Sequence, residues 1–204
     1  MNLLPSLSGI ILAGGRGTRM GAPKANLQFR GEPLLPSVVA ALGRVGTPVL
    51  VVLDADQVLE HAIPDDVVIV RDRTKDAGPV AGLVAGLHAC ASELAVAVGC
   101  DMPFLDPLLL RWLVAQIERA DAVIPVVGDR PQYLHAIYRV SARRAIDRLL
   151  ANGTRSLHAV AAGLEARYVT PLAGSTHSFI NVNTPAELCR AEQLEHADLA
   201  GPTL

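Results

Sequence analysis

The chain has few aromatic residues, few cysteines and no excess of charge of either sign. Phe, Trp and Tyr make up 3% of its 204 residues, so Ala, Val and Leu carry most of the hydrophobic half. This composition is typical of buried parallel strands flanked by helices. The net charge of −2 gives no reason to expect a nucleic acid or an anionic membrane as a partner.

Further absences bear on location and metal content. No apolar run approaches the ~20 residues that span a bilayer, and residues 1–8 lack the basic region of a signal peptide. The three cysteines are an odd, unclustered set, and the histidines and cysteines show no zinc-ligand spacing. We therefore expect a cytoplasmic protein with reduced thiols.

Apolar runs alternate with helical periodicity along the first two thirds of the chain. The runs predict strands at Ser8–Ala13, Pro48–Leu53, Val67–Val70, Leu94–Val98 and Ala122–Val126. The periodic segments predict helices at Pro33–Val45, Val80–Ala91 and Asp106–Arg119. This succession predicts an α/β fold with a mostly parallel sheet flanked by helices.

The last third changes character but shows no linker. It predicts a strand at Tyr133–Tyr138, a helix at Ser141–Leu150 and a helix at Pro185–Glu195, with Thr184 as the N-cap of the latter. We expect one domain over residues 1–204, with a core of about 8–195 and a flexible tail at 196–204.

A glycine-rich loop follows the first predicted strand. Gly14 and Gly15 allow close backbone approach to a ligand, and three cations follow within nine residues: Arg16, Arg19 and Lys24. N–H donors and positive charges at a strand end are suited to holding a polyphosphate. The competing interpretation is a merely flexible turn. No Walker triplet is present, and Met20 replaces the third glycine of the dinucleotide fingerprint, so a dehydrogenase is a minor alternative.

Carboxylates follow several of the other predicted strands. Asp101 comes after Leu94–Val98, and a carboxylate there suits Mg²⁺, which takes one or two carboxylates plus substrate phosphates. The competing role, a helix cap, fits Asp106 better. Asp54 and Asp72 are candidate nucleotide contacts, whereas Asp54 with Asp56 also matches the weak metal motif of glycosyltransferases.

No Ser-His-Asp or Cys-His arrangement can be argued from the spacing of the residues. Transfer of a nucleotide to a phosphate needs no strong general base, because the acceptor oxygen is already anionic. It needs relief of repulsion, in-line positioning and neutralisation of the departing pyrophosphate. A metal carboxylate, an arginine and a lysine supply these.

Four segments occur in an order that resembles one enzyme family. They are Leu12-Ala-Gly-Gly with Arg19-Met-Gly and Lys24, Gly78-Pro-Val-Ala-Gly-Leu83, Cys100-Asp-Met-Pro-Phe-Leu105, and Phe179-Ile-Asn-Val-Asn-Thr-Pro185. Together they resemble the molybdenum cofactor guanylyltransferases, which are MobA-like nucleotidyltransferases. The resemblance implies a Rossmann-like fold, Mg²⁺, and transfer of GMP from GTP to the phosphate of molybdopterin.

The resemblance also implies roles for individual residues. Lys24 would contact phosphate, and Asp101 would bind both GTP and the metal. Together with Arg19, which the charge argument above adds from the same loop, they are the predicted catalytic residues. The nucleotide would be bound by Leu12, Ala13, Gly14, Gly15, Lys24, Asp54, Asp72 and Asp101. On the acceptor side, Arg155 matches a family position. Residues Phe179–Asn183 alternate with strand period, which would place Asn181 and Asn183 on one face, suited to a pterin edge.

Several rival functions stay open at this point. A cytidylyltransferase acting on the same acceptor is the nearest, although such enzymes tend to begin Thr-Ala-Ala-Gly. A sugar-phosphate nucleotidyltransferase would share only the first loop, and a non-catalytic nucleotide-binding module has no need of both Lys24 and Asp101. The expected partners are GTP and molybdopterin, with other molybdenum-cofactor biosynthesis proteins and apo-molybdoenzymes as candidates.

Overall fold

The computed structural model describes residues 5–15, 23–72, 78–172 and 174–199. Its strands are Leu7–Leu12 (β1), Gln28–Phe29 (β2), Glu32–Pro33 (β3), Val49–Asp54 (β4), Val68–Asp72 (β5), Leu94–Gly99 (β6), Ala122–Val127 (β7), Arg130–Pro131 (β8), Ala136–Arg139 (β9) and Ala166–Val169 (β10). Its α-helices are Leu34–Gly43 (α1), Gly78–Ala89 (α2), Pro107–Ala115 (α3), Arg143–Ala151 (α4), Leu157–Ala162 (α5) and Pro185–Leu199 (α6).

One mixed sheet organises the molecule. Its order is β10-β7-β9-β6-β1-β4-β5, with β8 paired to β7, and the short strands β2 and β3 form a separate hairpin. The pairs β1–β4, β1–β6, β4–β5 and β7–β10 are parallel. The predicted mostly parallel sheet flanked by helices is confirmed. Strand β9 runs antiparallel to both β6 and β7, and the short strand β8 runs antiparallel to β7.

The two faces of the sheet support two apolar clusters. Ile11 belongs to the cluster formed with α1 and α3, whereas its neighbour Ile10 belongs to the cluster formed with α2, α4 and α5. Successive residues of a strand point to opposite faces, so a strand covered on both sides needs an unbroken apolar run. All six residues of β6 are buried, as that arrangement requires.

Helix α2 faces β1 with two glycines, Gly82 and Gly86. A Cβ atom on Gly86 would lie 2.6 Å from a methyl carbon of Ile10, and one on Gly82 would lie 3.3 Å from Leu12. Glycines four residues apart lie on the same face of a helix. This face therefore allows α2 to pack directly against β1, the strand that leads into the glycine-rich loop.

The structure corrects one prediction about the last third of the chain. Residues Phe179–Asn183 do not form a strand: a 3-10 helix covers Thr176–Phe179, and residues 180–183 follow without regular structure. The alternation in sequence has another cause. Val182 is fully buried, and its N–H donates to the backbone C=O of Asp101 at 2.9 Å rather than to a neighbouring strand.

Other predictions differ only in their bounds. The strand predicted at Tyr133–Tyr138 is β9 and starts at Ala136, and α6 continues past Glu195 to Leu199. Thr184 caps α6 as predicted, since its Oγ1 accepts a hydrogen bond from the N–H of Glu187 at 3.2 Å. In the described part of the chain, no helix is long and apolar enough to cross a membrane.

Candidate functional site

The carboxyl ends of β1, β4, β5 and β6 meet at one edge of the sheet. Leu12 is in register with Val52 of β4 and with Gly99 of β6, and Asp54 is in register with Asp72 of β5. Ligands of open α/β sheets bind outside this edge. The candidate residues that follow these strands are therefore brought together, as the sequence predicts.

Lys24 joins two distant parts of the chain at this edge. Its ammonium Nζ donates to Oδ2 of Asp101 and to Oδ1 of Asn183, both at 2.6 Å. The Asp101 side chain is 9% exposed and that of Lys24 is 29% exposed. We call Lys24, Asp101 and Asn183 the cation cluster, since one positive charge is held between a carboxylate oxygen and a carboxamide oxygen.

Hydrogen bonds to the main chain hold Asp101 and Asn183, the two residues of the cation cluster that accept from Lys24. The C=O of Asp101 accepts from the N–H of Val182, and the N–H of Asn183 donates to the Glu187 carboxylate at 2.8 Å. On the other side of Asp101, a Cβ atom on Gly99 would collide with the Asp101 carboxylate. Glycine at position 99 therefore leaves room for the carboxylate that faces Lys24.

A second group of side chains holds the glycine-rich loop. Oδ2 of Asp54 accepts from the N–H of Gly15 at 2.9 Å, and Nε2 of Gln57 donates to the C=O of Ala13 at 2.9 Å. From β5, the Arg71 guanidinium donates to the C=O of Asp54 at 3.2 Å and to that of Gln57. We call Asp54, Gln57 and Arg71 the strand-end clamp. Gln57 and Arg71 were not predicted from the sequence, because they belong to no recognisable motif.

The remaining predicted residues lie apart from the cation cluster or outside the described residues. The Arg155 guanidinium donates to the C=O groups of Leu150 and Thr154, and the C=O of Arg155 lies close to Gly78 at the start of α2. Among the described residues, no hydrogen bond or ion pair joins Arg155 to the cation cluster. Arg16 and Arg19 lie outside the described residues.

A buried histidine that the sequence analysis did not single out supports the loop carrying Asn181 and Asn183. His135 is fully buried, and its Nε2 lies 3.2 Å from Oγ of Ser178, which accepts from the N–H of Asp106. The ring also packs on Phe179 with centroids 4.3 Å apart. No sequence feature distinguishes His135, because it lies in a segment that reads as an ordinary strand.

The buried ionisable groups beside the site are not poised for acid–base or nucleophilic chemistry. Burial raises the pKa of the Cys100 thiol to about 12, and the neighbouring Asp101 carboxylate adds to this shift. Burial lowers the pKa of His135 to about 3, so that ring is neutral at neutral pH. The site therefore presents fixed charge and hydrogen-bond donors, as expected for a transfer to an acceptor that is already anionic.

Comparisons with known proteins agree with this chemistry. The model of the MobA-like NTP transferase domain matches residues 9–168. A probable molybdenum cofactor guanylyltransferase of Pelotomaculum thermopropionicum is 32% identical over 199 residues, which cover 95% of this chain and 96% of that protein.

Solved structures share the fold. Molybdopterin-guanine dinucleotide biosynthesis protein A of Archaeoglobus fulgidus superposes with a TM-score of 0.76 at 25% identity, over 93% of this chain and 99% of that one. A Mycobacterium tuberculosis protein, solved in complex with manganese, superposes with a TM-score of 0.64 at 18% identity, over 92% of this chain and 98% of that one. The chain belongs to the MobA-like NTP transferase family.

Proposed function

We propose that this protein transfers GMP from GTP to the phosphate of molybdopterin, which yields the guanine dinucleotide of the cofactor and pyrophosphate. The observation that carries the proposal is the cation cluster, which lies beside a glycine-rich loop in a chain of this family. Relatives named molybdenum cofactor guanylyltransferase match nearly the whole chain.

The chemistry follows from the charges of the reactants. An oxygen of the acceptor phosphate attacks the α-phosphorus of GTP, a new P–O bond forms, and the bond to the β-phosphate oxygen breaks. Both reactants are anions, so the protein must reduce their repulsion and stabilise the charge that builds on pyrophosphate. We propose that Lys24 does this and that Arg19 assists from the same loop.

The oxygen atoms of the cation cluster fit a divalent cation of the Mg²⁺ type. A buried carboxylate and a carboxamide oxygen both face one positive charge, and hard oxygen donors of this kind suit Mg²⁺. Mg²⁺ commonly uses only one or two protein carboxylates and takes its other ligands from substrate phosphates and water. We propose that Asp101 holds the metal, which would neutralise phosphate charge, while Lys24 moves onto the phosphates.

The glycine-rich loop and its neighbours form the proposed nucleotide site. Leu12, Ala13, Gly14 and Gly15 would contact GTP through their backbone. Asp72 ends the strand next to Asp54 and would contact the nucleotide from there. The Asp54 carboxylate already accepts the Gly15 N–H, so its contribution includes holding the loop in shape.

We assign the acceptor side to Arg155, Asn181 and Asn183. Oδ1 of Asn181 is buried and has no hydrogen-bond partner among the described residues. An unpaired buried acceptor costs about 1–3 kcal/mol, a cost that a donor on a bound pterin would remove. Asn183, through the cation cluster, would connect the acceptor side with the phosphates.

We further propose that the protein acts in the cytoplasm. It would deliver its product to other molybdenum-cofactor proteins and to apo-molybdoenzymes.

A transfer assay tests the proposed function. Purified protein is incubated with GTP, Mg²⁺ and molybdopterin, and the dinucleotide is identified by mass spectrometry while pyrophosphate release is followed in parallel. We expect both products in equal amounts and neither when molybdopterin is omitted. A known guanylyltransferase serves as the positive control for the quality of the molybdopterin. Pyrophosphate without the dinucleotide would refute the proposal, and so would the absence of any reaction with molybdopterin that the control enzyme converts.

A further inference from the structure

The strand-end clamp and the neighbouring strands together pair most backbone N–H and C=O groups of residues 12–15, the described start of the glycine-rich loop. The N–H of Ala13 donates to Val52 at 2.9 Å, and the C=O of Ala13 accepts from Gln57. The C=O of Leu12 accepts from the N–H of Cys100 at 3.3 Å, and the N–H of Gly15 donates to Asp54. Within the described part of the chain, the N–H and the C=O of Gly14 have no partner.

Gly14 therefore presents one donor and one acceptor from a backbone that is fixed on both sides. A Cβ atom at position 14 would collide with the Asp54 carboxylate, so the clamp also lies against this residue. A base edge that carries an acceptor beside a donor can pair with such a residue, as the O6 and N1–H of guanine do. Recognition by fixed groups discriminates strongly, because a wrong base leaves those groups unpaired.

Gln57 is the central member of the clamp. Its Nε2 holds the Ala13 C=O, its Oε1 accepts from the Asp54 N–H at 3.3 Å, and its N–H donates to the Asp54 C=O at 3.2 Å. Arg71 fastens the same turn by donating to the carbonyls of Asp54 and Gln57. The side chain of Gln57 thus joins the end of β1 to the turn after β4.

We propose that Gln57, supported by Arg71, is a positioning residue that sets base selectivity, by holding Gly14 where it pairs with guanine. This inference rests on the proposed function, since it takes GTP as the nucleotide. Neither residue touches the reacting phosphates in this account. Loss of the clamp therefore changes which base is preferred more than it changes binding of the triphosphate that all nucleotides share.

The test compares equilibrium binding of GTP, ATP and CTP by isothermal titration calorimetry in the presence of Mg²⁺. Gln57→Met keeps the approximate volume and removes both side-chain hydrogen bonds, and Arg71→Met removes the outer fastening. Gln116→Met is the matched control, because the Gln116 amide also donates to a backbone carbonyl, that of Trp112 at 3.3 Å, but at the end of α3. Thermal midpoints are recorded for every variant.

For Gln57→Met we expect the Kd for GTP to rise about tenfold and the Kd values for ATP and CTP to change less than about twofold, the scale of a single lost hydrogen bond. Arg71→Met should shift the preference in the same direction by a smaller factor, and Gln116→Met should leave all three Kd values unchanged. Equal losses for the three nucleotides, or a lower thermal midpoint with the preference retained, would overturn the inference. So would equal binding of the three nucleotides by the parent protein.

The transfer assay separates this inference from the proposed function. A parent protein that prefers GTP but makes no dinucleotide refutes the proposed function and leaves the binding comparison decisive for Gln57. A parent that makes the dinucleotide, with a Gln57→Met variant whose preference is parental, refutes only the role of Gln57.

Discussion

At the scale of single residues, one ammonium group links positions that are far apart in the chain. Lys24 is 77 residues from Asp101 and 159 residues from Asn183, yet it donates to both. Taking a carboxylate out of water is costly unless it is paired, so the burial of Asp101 depends on this contact or on a metal ion. The contact therefore holds the positive charge of Lys24 at the position where we expect the negative phosphates to bind.

Asp101→Asn is the residue change that tests the cation cluster. The amide keeps the shape of the side chain but removes its negative charge, so we expect turnover to fall roughly 10²–10³-fold, as for the loss of other preorganised charge-stabilising groups. The rate of pyrophosphate release at several Mg²⁺ concentrations measures the effect. Asp106→Asn is the control, since Asp106 caps α3 by accepting from the Leu108 N–H. Near-parental turnover of Asp101→Asn at millimolar Mg²⁺ would remove Asp101 from the site.

His135 is predicted to make folding stability depend on pH. Burial lowers its pKa to about 3, whereas an unfolded histidine has a pKa near 6.5. As the pH falls below about 6.5 the unfolded chain binds the proton first, so stability drops by up to about 1.4 kcal/mol per pH unit until the pH nears 3. Above about 6.5 this contribution is fully present.

Urea unfolding at pH 7, 6 and 5 measures this slope. We expect the slope of the parent to exceed that of His135→Gln, in which the titrating group is absent. His158→Gln, a change at an exposed histidine, serves as the control and should keep the parental slope. Parallel pH profiles for the parent and His135→Gln would show that the ring is not held neutral.

At the scale of elements, burial explains which predictions succeeded. Residues 10–12 of β1, 49–53 of β4 and 94–98 of β6 are unbroken apolar runs in strands covered on both faces, so the sequence indicates these strands directly. The edge strand β10 and the antiparallel direction of β9 were not predicted, because local periodicity contains no information about the pairing partner. The alternation of Phe179–Asn183 was interpreted as a strand, although it arises from burial of Val182 beside Asp101.

Substitution by alanine is predicted to have opposite effects on stability at Gly86, where α2 packs closely on β1, and at Gly43, the last residue of α1. Gly86→Ala places a methyl group 2.6 Å from the side chain of fully buried Ile10, so we expect a loss of about 1–3 kcal/mol of stability. In Gly43→Ala the nearest atom is 4.0 Å away, and we expect a gain of up to about 1 kcal/mol from helix propensity. Chemical denaturation gives both values. A stabilised Gly86→Ala protein would show that α2 can move away from the sheet without cost.

Two segments, the one after the last 3-10 helix and the one before α5, contain the residues that we propose bind molybdopterin. We expect Asn181→Ala and Arg155→Ala each to weaken molybdopterin binding by about tenfold, the scale of one lost charge-assisted or buried hydrogen bond. GTP affinity and the thermal midpoint should stay close to the parental values. Calorimetric titration with each substrate separates the outcomes, and a loss of GTP affinity with molybdopterin binding retained would move both residues to the nucleotide side.

At the scale of the whole molecule, the site is an assembly of strand ends. The glycine-rich loop and Asp101 follow β1 and β6, and Asp54 and Asp72 are the last residues of β4 and β5. These four strands are adjacent and parallel, so the topology of the sheet alone predicts that the residues meet. Sequence motifs indicated these positions, whereas Gln57, Arg71 and His135 became visible only through their contacts. Residues that hold other residues in place have no characteristic spacing, since the fold and not the reaction determines their positions.

The most direct test of the central claim is a competition among nucleotides. The protein is supplied with equal concentrations of ATP, CTP, GTP and UTP, together with Mg²⁺ and molybdopterin, and the dinucleotides formed are quantified by mass spectrometry. We predict that the guanine dinucleotide exceeds each of the others at least about a hundredfold, the scale of roughly 3 kcal/mol. A cytosine dinucleotide in equal or greater amount would contradict the account and make the protein a cytidylyltransferase.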